Sequence, residues 1–331
     1  MEDHGSQSGS NAAPSSAPGS APIPALRSAS PKLFPGVFLR GMLMGAADVV
    51  PGVSGGTIAF ITGIYQRLIT AFSSVDLDAV SLVLKGQWLA AWHKVDANFL
   101  LVLFAGVGLS ILTLARGVSY LLENQPLLLW AFFFGLIFAS SLVLLRQVKA
   151  WSLTRMLALG CAAAFALALA FTTTAALPQT NLVFFLAGFF AICAMILPGI
   201  SGSFILVLLG MYEPVITAIK EFLWFPLISF TVGNALGLLS FSRLLRWLLE
   251  RHQQLTLASL TGFLLGSLLI VWPWKIEQAS EAAGSSRSVP VTPIRYAQEV
   301  ADSQLLACAA LALLGFFLVW LIETRWGDSG P

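Results

Sequence analysis

Charge is what this chain has least of. Asp, Glu, Lys and Arg together make up 10% of its 331 residues, where a soluble domain carries about 25%. With 57% hydrophobic residues, 24 Phe and 10 Trp, a soluble globular domain is excluded, and runs of roughly 20 apolar residues place the chain in a lipid bilayer. Histidine is nearly absent: His4, His93 and His252 stand far apart. That argues against a histidine-based metal centre or a nucleophile–base pair. The three cysteines, Cys161, Cys193 and Cys308, are widely spaced inside apolar runs. They read as small buried hydrophobes, with no disulfide framework and no metal ligands. The net charge of +2 comes without a basic cluster, so nucleic acid is not an expected partner. No cofactor is expected either.

Residues 1–32 have almost no large side chains and are mostly Ser, Ala, Pro and Gly. Such a segment cannot bury enough surface to offset its ordering entropy. It also has no apolar core of the kind a signal peptide needs. The expectation is a disordered cytoplasmic tail over 1–32, followed by one transmembrane domain over 33–331.

What is there instead of charge is a series of apolar runs. Six are uninterrupted, at about 98–121, 126–146, 153–175, 222–243, 255–273 and 303–322, and two more, at about 33–72 and 181–217, are broken near their middles. The breaks read "ADVVPGVSGGTIAFITGIYQRLI" from residue 47 and "AMILPGISGSFILVLLGMYEPVI" from residue 194. At an offset of 147, nine of these 23 positions are identical, among them Pro51/Pro198, Gly52/Gly199, Ser54/Ser201, Gly55/Gly202 and Tyr65/Tyr212. Three complete spans follow each break. The fold expected is therefore an all-α polytopic membrane protein made of two repeats, about 33–176 and 181–323.

Charge then bears on topology. If both broken segments are re-entrant, thirteen of the 18 Lys and Arg fall on one side, leaving Arg116, Lys220, Lys275, Arg287 and Arg295 on the other. That is the bias of a cytoplasmic face, with both termini inside. Each half then holds an odd number of complete spans, so the second is inverted relative to the first. The two hairpins enter from opposite faces and their tips meet near the midplane.

The breaks have a local chemistry. Pro51 lacks an N–H and disfavours helical geometry before it, and Gly52 lets the chain turn. Ser54 is placed to cap a second half-helix, whose first amides come from Gly55, Gly56 and Thr57. Those donors carry the positive end of a helix dipole, and the missing side chains of Gly55 and Gly56 leave room for a ligand. Pro198, Gly199, Ser201, Gly202 and Ser203 repeat the arrangement. Two such N-termini facing one cavity make an anion site suited to phosphate. The competing reading is a pair of packed kinks; the repeated Pro-Gly-x-Ser-Gly spacing argues against it.

Asp48, three residues before Pro51, is costly in a bilayer unless it faces a cavity or a partner. It reads either as a protonatable or gating group or as a structural acceptor for the nearby half-helix amides. The second repeat has Met195 at this position. Arg40, Arg67, Glu213 and Arg116 are weaker candidates, each closer to a boundary charge. Leu84, Trp88, Trp92 and Val95 share one helical face and suggest an interfacial helix, weakened by Gly86. Gly233/Gly237 and Gly262/Gly266 have the spacing of close helix contacts. The polar loop at about 274–302 suggests no function, and "WPWK" at 272–275 reads as an aromatic anchor.

The stretch "GMLMGAADVVPGVSGGTIAFITGIYQRLI", with its partner "LPGISGSFILVLLGMYEPVI", resembles the bacterial polyprenyl-phosphate transporters of the PopT type over about residues 33–323. The resemblance implies a flippase that returns undecaprenyl phosphate, the lipid carrier of cell-wall and surface-polysaccharide synthesis, from the outer to the inner leaflet of the cytoplasmic membrane. It also implies a head-group region at Asp48, Pro51, Gly52, Ser54, Gly55, Gly56 and Thr57, facing Pro198, Gly199, Ser201 and Gly202. A transporter of small soluble anions could use the same hairpins, and a lipid-phosphate-modifying membrane enzyme is the alternative from a different class. No oligomeric state follows from the sequence.

Overall fold

The computed structural model describes residues 34–50, 53–172, 177–279 and 286–326. The tail at 1–32 and the pair Pro51–Gly52 lie outside them. The first half runs α1 (Phe34–Asp48), α2 (Gly55–Ile61), α3 (Tyr65–Ser73), α4 (Leu77–Leu84), α5 (Trp88–Lys94), α6 (Ala97–Asn124), α7 (Pro126–Gln147) and α8 (Leu153–Phe171). The second runs α9 (Asn181–Ile196), α10 (Gly202–Leu208), α11 (Tyr212–Lys220), α12 (Trp224–Arg251) and α13 (Gln253–Ser267). It continues with strands β1 (Lys275–Ala279) and β2 (Ser286–Pro290), then α14 (Pro293–Glu299) and α15 (Leu305–Trp326). The chain is thus an all-α polytopic membrane protein with one small hairpin of strands.

Local chemistry sets many of the boundaries. Asp76, Ser152, Thr180 and Thr292 cap their helices through side-chain oxygens, and Pro126 and Pro293 sit in first turns where no amide is lost. Helices α6, α7, α8, α12 and α15 are long and apolar enough to cross a bilayer. At 22 residues, α7 spans about 33 Å, against a hydrocarbon core of about 30 Å. Exposed Leu101, Phe104, Leu112, Phe165, Leu236 and Phe317 on these helices form surface that suits lipid.

Three expectations change. The run at 255–273 contains a helix of only 15 residues, α13, because the chain passes into turns after Ser267. The interfacial helix is two helices, broken where Gly86 adopts φ +73°. The loop at 274–302 is a built cap: β1 pairs antiparallel with β2, from Lys275 opposite Pro290 to Ala279 opposite Ser286. Trp272 and Trp274 hold that cap rather than merely anchoring a span, donating their indole N–H groups to the carbonyls of Val291 (2.8 Å) and Ser303 (2.9 Å).

The helices pack in pairs that match between the halves: α1 with α6 and α9 with α12, then α7 with α15 and α8 with α13. Glycine makes each approach possible. Gly106 on α6 lies against the Phe38 carbonyl of α1, and Gly233 on α12 lies against the Phe185 carbonyl of α9. Phe38 and Phe185 are themselves 147 residues apart. Gly135 on α7 meets Ala312 of α15, while Gly262 on α13 meets Leu159 and Ala162 of α8. In the second set each helix pairs with one from the other half, so the halves are interlocked.

Candidate functional site

The two breaks meet. Helix α2 turns back beside α1, and α10 turns back beside α9, so that a Cβ placed on Gly202 would lie 2.8 Å from the Ala191 carbonyl. Helix α11 then leaves α10 at an angle of 107°. Ser54 Oγ lies within reach of the carbonyls of Met195 (3.2 Å) and Leu197 (3.3 Å), and the Gly199 amide donates to Thr57 Oγ1 at 3.0 Å. Tyr65, buried, donates its hydroxyl to the Ile196 carbonyl at 3.1 Å. These bonds lock the first break to the end of α9, and the positive φ of Gly199 (+90°) lets the second break make its turn.

The first N-terminus is occupied by the protein itself. The Gly55 amide donates to Asp48 Oδ1 at 2.7 Å, the Gly56 amide to Ser54 Oγ at 3.1 Å, and the Thr57 amide to the Ser54 carbonyl at 2.9 Å. The expectation of open amides here is therefore corrected: Asp48 takes the Gly55 amide, as the acceptor reading had it, and Ser54 takes the other two. The space over Gly56 is also filled, because a Cβ there would stand 3.0 Å from the carbonyls of both Met195 and Ile196.

The second N-terminus differs. The Ser201 side chain makes no capping bond; its Oγ lies 2.7 Å from Ser203 Oγ. With Met195 in place of an acid, α10 has no carboxylate partner of the Asp48 kind. It faces a cavity of about 320 Å³ whose polar lining is Asp48, Ser201, Gly202, Ser203 and Asn234. Asn234 is a residue the sequence reading missed. It is a lone amide in the apolar helix α12, next to the close-packed Gly233, and it donates to the Phe230 carbonyl at 3.1 Å.

A second cavity of about 140 Å³ lies on the other side of Asp48, Ile192 and Met195, which line both. Its walls include Met44, Gly56, Tyr65, Leu68, Phe72, Phe104, Val107 and Leu238, so it is almost wholly apolar.

The weaker candidates lie away from both cavities. Arg67 makes a two-pronged pair with Asp96 (2.6 and 3.1 Å) and stacks over Phe99 at 4.3 Å, a structural clamp between α3 and the start of α6. Arg40 is half-buried on α1, and Glu213 and Arg116 are exposed. Pro198 is buried behind the break. Pro51 and Gly52 lie outside the described residues. Cys161, expected to be buried, is exposed on α8.

A family profile described as "VCA0040-like: Undecaprenyl phosphate translocase-like" matches residues 44–289, which include both breaks and both cavities. The chain belongs to this family. A protein of Vibrio cholerae named polyprenyl-phosphate transporter is 47% identical over 255 residues, covering 77% of this chain and 82% of its own. One of Staphylococcus aureus with the same name is 32% identical over 253 residues, covering 71% of this chain and 85% of its own. No solved structure matches.

Proposed function

We propose that this family member moves polyprenyl phosphate, and in particular undecaprenyl phosphate, from the outer to the inner leaflet of the bacterial cytoplasmic membrane, recycling the carrier for envelope synthesis. The observation that carries the reading is the open cavity at the junction of two broken helices, with polar groups from both breaks and from the membrane-length helix α12. Hydroxyls of Ser201 and Ser203 and the amide of Asn234 would hold the phosphate there, beside the positive end of α10. The two halves are read as inverted repeats whose re-entrant hairpins form this junction, an arrangement suited to alternating access. The chain is read as a transporter rather than an enzyme.

No Lys or Arg lines the polar cavity among the described residues, whereas Asp48 does. A phosphate monoester carries about −1.5 to −2 charges at neutral pH. Protonation of Asp48 would remove the repulsion, so the carboxylate is read as the group that couples binding to the proton as well as an acceptor for Gly55. In Asp48→Asn the hydrogen bond survives and the titration does not. The expected outcome is lipid flux that no longer varies with pH; flux with the wild-type rate and pH profile would leave Asp48 only its structural role.

The function itself is tested in proteoliposomes holding the full chain, with labelled polyprenyl phosphate in one set and a labelled soluble anion in another. Movement of the lipid between leaflets without release of phosphate is the expected result. Uptake of the soluble anion alone would favour the soluble-anion transporter, and appearance of free phosphate would favour an enzyme.

A further inference from the structure

The apolar cavity beside Asp48 is not needed to hold a phosphate, and its relation to the polar one is informative. In each half the first helix of the break packs on the long helix through matched glycines, Gly106 and Gly233, which aligns Val107 with Asn234. The offset of 147 aligns Met44 with Ala191, Asp48 with Met195 and Gly56 with Ser203. Each residue of these four pairs lines the cavity of its own half. The cavities are therefore counterparts. One carries a serine and an asparagine where the other carries a glycine and a valine, so they differ in chemistry and not merely in how far they are open.

We propose that the apolar cavity receives the first isoprene unit of the lipid whose phosphate occupies the polar cavity, with the side exit for the rest of the chain beside Phe72 and Phe104. The proposal rests on the function above, since it assigns a second part of the same substrate. Three observations support it. Asp48, Ile192 and Met195 line both cavities, so the two are neighbours, and a lipid with its phosphate in one reaches the other by crossing over these three side chains. The volume of about 140 Å³ is close to that of an apolar cavity of about 150 Å³ that holds a benzene ring, a body comparable to one isoprene unit. The rings of Phe72 and Phe104 pack on each other at the edge of the cavity, 6.2 Å between centroids, and Phe104 is 49% exposed on α6, where the surface suits lipid, so the chain would leave beside this pair rather than between its rings.

The cavity cannot draw the chain in by hydrophobicity, because lipid tails are already as apolar as leucine. What it offers is shape. A methyl-branched, unsaturated unit fills it differently from a straight alkyl chain, and misfits of this size change affinity by about tenfold or more.

The test compares geranyl phosphate with decyl phosphate, measuring each as a competitor of labelled polyprenyl phosphate on the purified full chain. The wild type is expected to prefer the prenyl compound about tenfold. To fill the cavity after folding, Leu238→Cys is made in a chain carrying Cys161→Ala and Cys193→Ala, then treated with a hexyl thiosulfonate, which joins a hexylthio group to it as a mixed disulfide and releases sulfinate. The preference should fall to near unity while decyl phosphate still binds. Val107→Asn, which copies the polar half, should also reduce it. An undiminished preference in the hexylthio-modified protein, or none in the wild type, overturns the assignment of the cavity. If the wild type binds neither lipid phosphate, the proposed function falls and takes the assignment with it.

Discussion

At the scale of single residues, Asp48 and Ser54 define the first break because each closes an amide that the chain left open. Their removal has a calculable cost. Losing a helix cap costs about 0.5–2 kcal/mol, so Asp48→Ala and Ser54→Ala should each lower stability in detergent by about 1 kcal/mol, whereas Asp48→Asn should stay near the wild type. Thermal unfolding of the three variants checks this ordering. Gly56 changes meaning once the structure is seen. From sequence its missing side chain looked like space for a ligand, but the carbonyls of Met195 and Ile196 fill it. Gly56→Leu should therefore disturb the packing of the break itself, and its yield as a folded protein should fall together with its transport. Sequence showed that Ser54 would cap and that the breaks were special, since Pro, Gly and Ser act locally. It offered Asp48 as an acceptor for the half-helix amides beside a titrating role without choosing between them, and it could not show that Asn234 would face the site, because that depends on how distant helices approach.

At the scale of elements, the glycine contacts and the cap over the bundle carry separate predictions. A side chain at Gly135 would collide with the Ala312 backbone, and one at Gly233 with that of Phe185. Overpacking costs about 1–3 kcal/mol where neighbours can yield and more where the obstacle is backbone. Gly135→Leu and Gly233→Leu should therefore melt well below the wild type, while Gly160→Ala, with open space around it, should not. In the cap, Lys275 lies over the Trp130 ring at 4.2 Å and donates to the Ile270 carbonyl. Burial pushes its pKa down to about 8, against about 10.4 for an unfolded lysine. Between those values the unfolded chain binds more protons, so stability should rise with pH from about 8 to about 10.4 and stay flat below. Lys275→Met, of similar length and without a proton to lose, should abolish that slope in thermal melts recorded across the window. On α4 and α5 the slope runs the same way in the acid range: Lys94 bonds Asp76 at 2.6 Å and holds its carboxyl below the usual range, so that contribution is present at neutral pH and is lost as the pH falls. The apolar runs gave away the spans, yet the cap stayed hidden in a polar loop, since a two-stranded hairpin has no periodicity strong enough to stand out.

At the scale of the whole molecule, orientation is the open quantity, and the geometry makes it measurable. The α7–α8 connection meets the start of α13, where the Lys149 amide donates to Gln254, and the end of α12 meets the end of α3, where Arg243 and Arg246 reach Val75 and Ser73. These contacts gather Arg146, Lys149, Arg155, Arg243, Arg246 and Arg251 toward one end of the bundle. The cap sits at the other end, where Leu127 at the start of α7 packs with Trp274, Val291 and Tyr296. Because α7 is long enough to cross the hydrocarbon core, Gln147 at its last turn and Gln298 on α14 should lie on opposite faces. From the excess of basic residues around Gln147, that face is predicted to be the cytoplasmic one. Single cysteines at these exposed positions, in a chain whose native cysteines are alanine, should react with an impermeant maleimide from opposite sides: Gln298→Cys in intact cells, Gln147→Cys only after the membrane is opened. The reverse pattern would turn the whole protein over, moving the amino-terminal hairpin to the outside. Labelling of both from one side would be incompatible with α7 as a span.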